Sequence, residues 1–167
     1  MPRSFDFSVD SSATVEQIHL AFAERDYWSA RLTTFGGLGS LDSLTIGSDG
    51  AVSVVVVKDM HPDGVPGPAA KFFPQRWRVV QHETWRPIGD GRVRGEVSVE
   101  PHGAPGSGAG TALLTPTTHG SRLKCTATVE FRVPMIGGAV ESVMGRLLVQ
   151  NISVMQRFTT DWIQAHA

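Results

Sequence analysis

The sequence predicts an α+β domain: an antiparallel sheet of about seven strands, covered by one long C-terminal helix, with two short helices after the first strand. Three observations lead there. Residues 92–100 and 122–133 alternate apolar and polar side chains with period two, as strands with one dry and one wet face do. After Gly138 the period changes to about 3.6, placing Val140, Val143, Met144, Leu147, Asn151, Val154, Met155, Phe158 and Trp162 on one stripe. Finally, the strands come as a run and do not alternate with helices, which excludes a doubly wound parallel sheet.

The elements follow in order. Phe5, Phe7 and Val9 alternate with polar residues, a short half-buried strand reading as folded from about Ser4. Thr14-Val15-Glu16-Gln17 fits a capping box, and Val15, Ile18 and Phe22 then recur at helical spacing. A second helix over 24–34 carries Trp28, Leu32 and Phe35 on one side, and the glycines after Phe35 end it. Strands at 41–46 and 51–58 flank the turn Gly47-Ser48-Asp49-Gly50. Residues 59–74 contain Pro62, Pro66, Pro68 and Pro74 and read as a loop with a helical turn at 69–73.

Strands are predicted at 76–85, 92–100, 110–118 and 122–133. Turns fall at 87–91 and 119–121, and a longer Gly/Pro-rich loop at 101–108. The closing helix, 136–163, would be about 40 Å long, enough to lie across a whole sheet. Pro134 ends strand pairing, Gly137 and Gly138 permit a sharp reversal, and Glu141 suits a first helical turn.

Bulk properties narrow the function. The 167 residues, 41% hydrophobic and 19% charged, suit a single domain over 1–167. A formal net charge of −1 offers no basic face for nucleic acid. Arg76-Trp77-Arg78 is a lone arginine–aromatic cluster, better suited to strand packing than to base stacking. No segment has the length and apolarity of a membrane span, and no signal-peptide pattern opens the chain, so a cytoplasmic protein is expected. Cys125, the single cysteine, can form no internal disulfide.

The familiar reaction and cofactor motifs are missing. No Gly-Lys pair occurs, so there is no P-loop, and the string 106–110 precedes a strand where phosphate loops open a helix. No serine sits in a nucleophile elbow. His19, His61, His82, His102, His119 and His166 show no zinc-ligand spacing; Asp59, His61 and Asp63 read as turn residues. Neither metal nor cofactor is expected.

Two polar positions stand out. His82 and Glu83, the weak acid–base candidates, face opposite sides of their strand because they are adjacent. Trp77, Val79 and Trp85 favour Glu83 on the apolar side, either moving a proton or paired with an arginine such as Arg78 or Arg94. Asn151 falls within the apolar stripe, where an unpaired amide costs about 1–3 kcal/mol. A backbone carbonyl, a buried water, a side chain or a ligand would have to satisfy it.

The element order resembles the helix-grip fold of the START-like (SRPBCC) superfamily. Tyr27-Trp28-Ser29-Ala30-Arg31-Leu32, Gln81-His82-Glu83-Thr84-Trp85 and Val133-Pro134-Met135-Ile136-Gly137-Gly138 are similar to segments of an uncharacterised, mainly actinobacterial branch of it, a domain of unknown function. The resemblance implies a curved sheet wrapped around the long helix, with a cavity between them for a lipid, a polyketide or a similar apolar molecule. On that reading Trp28, Trp85, Val97, Leu113, Ala127, Val129, Val140, Met144, Leu147, Asn151 and Met155 line the cavity, and the loop 59–74 gates it. Aromatic and aliphatic walls would supply affinity while Asn151 orients a polar head. A small apolar ligand is the expected partner, without nucleic acid or integral membrane association. Two alternatives stay open: a cyclase- or aromatase-like enzyme using Glu83 or His82, and a protein-interaction or chaperone-cofactor module.

Overall fold

The structure is a computed structural model describing residues 3–35, 38–61, 70–71, 74–132 and 137–167. The order is β1 (Arg3–Ser11), α1 (Val15–Phe22), α2 (Arg25–Phe35), β2 (Leu38–Ile46), β3 (Val52–Met60), β4 (Trp77–Gly89), β5 (Arg92–His102), β6 (Gly106–Thr117), β7 (Gly120–Phe131) and α3 (Gly137–Ala165). The strands form one seven-stranded sheet, ordered β1-β7-β6-β5-β4-β3-β2 and antiparallel throughout. Most of the predicted loop 59–74, and residues 133–136 of the strand-to-helix junction, lie outside the described residues.

Local chemistry accounts for the elements. Thr14 Oγ1 accepts from the Gln17 amide at 3.1 Å and Gln17 Oε1 accepts from the Thr14 amide at 2.9 Å, the full capping box at the start of α1. β4 and β5 are joined through Asp90 and Gly91, both at positive φ (57° and 70°), the backbone of a tight hairpin turn. The loop expected at 101–108 is shorter than predicted. β5 runs to His102 and β6 starts at Gly106, with Gly108 paired to both Val99 and Val129. Glycine's poor strand propensity yields here to pairing on both sides.

One face of the sheet is dry. Across β3 to β7, Val52, Trp85, Gly95, Ala112 and Cys125 stand in register, and Val54, Glu83, Val97, Gly110 and Ala127 form the next row. The Trp85 ring lies flat over Gly95, where a Cβ would stand 2.4 Å from ring atom Cζ3. Only glycine leaves room for the indole. The core divides into two clusters among the described residues. The larger joins α1 and α2 to the sheet through Ile18, Phe22, Tyr27, Trp28, Trp85 and Leu114; the smaller gathers Trp77, Val79, Phe131 and Val140.

α3 packs mainly on β1 and β7, and through its C-terminal half on α1 and α2. Its buried residues are Gly137, Val140, Glu141, Gly145, Gln156 and Thr159, so the contact face extends beyond the predicted apolar stripe: the ends of the stripe pack, through Val140 and Met144 and through Phe158 and Trp162, while Leu147, Asn151 and Val154 in its middle are exposed. At 3.6 residues per turn, the Glu141–Gly145–Gln156–Thr159 line sits about 125° round the helix from the Leu147–Asn151 line. The reason is steric: Gly145 admits the Phe5 ring of β1, whose Cζ would stand 2.0 Å from a Cβ there. Close approach of helix and strand sets the contact in the middle of α3, and apolar side chains set it at the two ends.

Glu141 differs from expectation for a related reason. It lies beyond the first turn of α3, fully buried, and its Oε2 accepts from the Phe131 amide at 2.8 Å. The carboxylate ties the end of β7 to the helix instead of complementing the helix dipole.

Candidate functional site

Between the two apolar clusters the dry face becomes polar. Alternation along β4 turns Trp77, Val79, Gln81, Glu83 and Trp85 inward, while His82 is exposed on the other face. Glu83 is only 2% exposed, yet it is well satisfied. Its Oε1 accepts from Trp85 Nε1 at 3.1 Å, and its Oε2 accepts from Gln81 Nε2 at 2.6 Å and lies 3.6 Å from Arg31 Nη2. The carboxylate therefore pairs with an arginine, but with Arg31 of α2. Arg78 and Arg94, on the outer face, pair instead with Asp59 and Glu96.

Arg31 is held from several directions. Its guanidinium lies over the Trp28 ring at 4.8 Å, and Nη2 donates to Met155 Sδ of α3 at 3.1 Å. The Tyr27 hydroxyl stands near the same group and favours its charge. Thr159 donates its own hydroxyl hydrogen to the Met155 carbonyl at 2.9 Å, so it accepts from Tyr27 OH at 2.7 Å. Burial pushes the Tyr27 phenol up and keeps it a donor. Burial also works against the Arg31 charge, but Glu83 and Tyr27 outweigh it and hold the guanidinium above its ordinary range.

Lys58 completes the group. Val52, Val54 and Val56 alternate inward along β3, and the same period brings Lys58 to this face. It has no ion pair or hydrogen bond among the described residues. Burial pushes its ammonium pKa down, Arg31 adds to that, and Glu83 opposes it. Trp28, Arg31, Leu32, Phe35, Lys58 and Gln81 line a recess here, with Val56 and Met155, whose free volume of about 10 Å³ is near the limit for one water.

The expected lining residues do not share one place. Trp85, Val97, Ala127 and Val129 are on the inner face of the sheet, while Val140 and Met144 join the smaller cluster; Trp28 and Met155 meet at Arg31. Leu147, 41% exposed, and Asn151, also exposed, lie midway along the same helix line as Met144 and Met155, outside the packed core. Asn151 therefore meets water and needs no buried partner. Leu113 belongs to the outer face: Ala112 and Leu114 are buried on either side of it, and it pairs with Arg94 and Lys124. There it borders an open depression of about 730 Å³, with Asp6, Arg92, Arg94 and Lys124 on its rim. That surface is larger than the inner recess but shallow and charged, away from the buried polar group.

Arg31, Lys58, Tyr27 and Gln81 were not among the expected site residues. A signal existed for two of them: Lys58 continues the alternation of Val52, Val54 and Val56, and Arg31 follows Trp28 and Tyr27 by three and four residues on the buried side of α2. Other motifs resolve simply. Trp77 is buried in the smaller cluster, so it offers no stacking platform between Arg76 and Arg78. Asp59 pairs with Arg78 at 3.5 Å, and Asp63 lies outside the described residues. Among the described residues no His/Cys/Asp/Glu group could hold a metal, and no helix is long and apolar enough to cross a membrane. Burial pushes the Cys125 thiol up to about 11, leaving it protonated and unreactive near neutrality.

Comparison with known proteins agrees with this architecture. An uncharacterised protein of Mycobacterium tuberculosis is 37% identical over 170 residues, covering 98% of each chain. A crystal structure of norcoclaurine synthase from Thalictrum flavum, in complex with dopamine and hydroxybenzaldehyde, superposes with a TM-score of 0.50 at 14% identity, covering all of this chain and 89% of that one. A putative uncharacterised protein from Rhizobium leguminosarum gives 0.56 at 10% identity, covering 99% and 96%. At such identities the likeness concerns the fold alone, a helix-grip arrangement of curved antiparallel sheet and long C-terminal helix. The model of the family described as "Protein of unknown function (DUF2505)" matches residues 6–163, and the chain belongs to that family.

Proposed function

We propose that this protein is a START-like helix-grip domain that binds a small, largely apolar molecule between the inner face of the sheet and α3. One observation carries the reading: the dry face is not packed shut. Val97, Val99 and Val129 point inward yet are only half-buried, and Leu147 and Asn151 in the middle of α3 are exposed. Inward apolar side chains left partly open are what a binding groove needs, and a finished core does not leave them. The bound small molecules of the norcoclaurine synthase structure support such a use of the fold. We place the work in the cytoplasm, where a lone unpaired cysteine such as Cys125 is ordinary.

Glu83 counts against an acid–base enzyme built on this strand. Both of its oxygens are engaged, and His82 faces away from the groove. Native mass spectrometry of freshly purified protein, followed by solvent extraction, tests the binding reading. The expected result is a reproducible adduct that disappears from Val97→Trp, in which an indole fills the groove. A protein that carries no adduct and gains none from a panel of lipids and aromatic acids would refute it.

A further inference from the structure

We propose that Arg31 and Lys58 are the anchor for a carboxylate, so that the ligand of this groove is an amphiphilic carboxylic acid held with its head beneath α2. The inference rests on the groove being a binding site and names the chemical class it takes. It follows from an imbalance of charge. Among the described residues two cations, Arg31 and Lys58, face one carboxylate, Glu83, and one positive charge is left over in a half-buried place. The titratable groups from the packed elements are Tyr27 and Arg31 of α2, Lys58 of β3 and Glu83 of β4; α3 presents the neutral Met155 and Thr159.

Glu83 cannot serve both cations equally. Its Oε2 already takes Gln81 and Arg31 and its Oε1 takes Trp85, so Lys58 is left without a partner among the described residues. Uncompensated charge in such a position is costly, and burial together with Arg31 lowers the Lys58 pKa. A second carboxylate would relieve it by accepting from Lys58 Nζ and balancing the two cations.

Size and shape favour a carboxylate over a phosphate. The free volume of about 10 Å³ admits an atom the size of a water oxygen, and a carboxylate can offer one oxygen at the edge of a planar group. The walls beside it, Trp28, Leu32, Phe35 and Val56, suit the first carbons of an apolar body. From there the half-open inner face and the Met144–Met155 line of α3 lead away from the anchor.

The test uses a pair of probes with one apolar body: 11-(dansylamino)undecanoic acid and its methyl ester, titrated against the full chain and against Lys58→Met. The unmodified protein should bind the acid about tenfold or more tighter than the ester, as a charge-assisted bond lost on esterification requires. Lys58→Met should reduce that ratio to about one by weakening acid binding alone, with the melting transition retained. The preference should also fade as pH rises through the lowered range of Lys58, because the ammonium loses its proton there. Equal binding of acid and ester to the unmodified protein, or an equal loss of both in Lys58→Met, overturns the anchor while leaving the groove standing. Binding of neither probe overturns the groove and the anchor together.

Discussion

The pair Arg31–Glu83 can be weighed by a double-mutant cycle of Arg31→Met, Glu83→Gln and the double variant. At 3.6 Å and an effective dielectric constant of about 20, the Coulomb attraction is about 4–5 kcal/mol before desolvation. Arg31→Met leaves a carboxylate that is 2% exposed with bonds from Gln81 and Trp85 only. Removing one partner of a buried pair costs about 3–5 kcal/mol, and the lower end applies here because Lys58 stands near enough to take over part of the charge. Glu83→Gln sets Arg31 and Lys58 against each other with no counter-charge. It also forces an amide donor toward either Trp85 Nε1 or Gln81 Nε2, both donors, for a cost of about 2–3 kcal/mol.

The double variant removes the pair and keeps only the amide mismatch, so it should be less destabilised than the sum by about 2 kcal/mol. Urea unfolding followed by fluorescence suits the measurement, because Trp28 and Trp85 sit in the larger cluster. Additivity to within about 0.5 kcal/mol would refute the claim that these residues act as one unit.

Four further outcomes follow from the same contacts. Gly145→Ala should destabilise by about 1–3 kcal/mol despite its better helix propensity, since the new methyl meets the Phe5 ring; Gly145→Ala with Phe5→Ala should recover part of that in the same urea assay. Glu141→Leu should cost about 1–3 kcal/mol by leaving the Phe131 amide without its acceptor, whereas Glu141→Gln, which keeps an acceptor oxygen, should cost less. Lys58 has a folded pKa below its unfolded value of 10.5, so the unfolded chain binds more protons in that interval and stability should rise with pH up to about 10.5. Lys58→Met should abolish that rise and be the more stable protein at neutral pH. Cys125 should react slowly with iodoacetamide at pH 7–8 and faster only as pH approaches 11; rapid labelling of the folded protein at pH 7 would contradict its burial.

Much of the fold was legible because it depends on patterns that local sequence carries. The period-two strands β5 and β7, the Thr14 capping box and the change of period after Gly138 each announce an element, and the structure places each accordingly. Apolarity marked the packed ends of α3, Val140 and Met144 and then Phe158 and Trp162, but not the contact in its middle. Its contact face uses Gly145, Glu141, Gln156 and Thr159, chosen by close approach to Phe5, a bond to Phe131 and a bond to Tyr27. None of those contacts is visible from the helix alone. Leu113 fails for a simpler reason: Ala112 and Leu114 fix the parity of β6, and a large apolar residue between them is turned outward by the pleat. Glu83 was legible as an inward carboxylate from Trp77, Val79 and Trp85, but its partner came from α2, a separation along the chain that no strand pattern encodes.

What remains is why the fold keeps ions between two apolar clusters. A buried pair is rarely worth more than well-packed apolar side chains of the same volume, so stability alone does not account for Arg31 and Glu83. Nor does it account for Lys58, which would be cheaper as a methionine. The neighbours are arranged around the charges: Trp28 under the guanidinium, Met155 on one of its donors, Gln81 and Trp85 on the carboxylate. Each of those bonds fixes the direction of Arg31 before any ligand arrives, which lowers the ordering cost of binding. A cation without a partner among the described residues, set where the groove narrows to one water's volume, is an expense that folding does not need and a carboxylate ligand would recover.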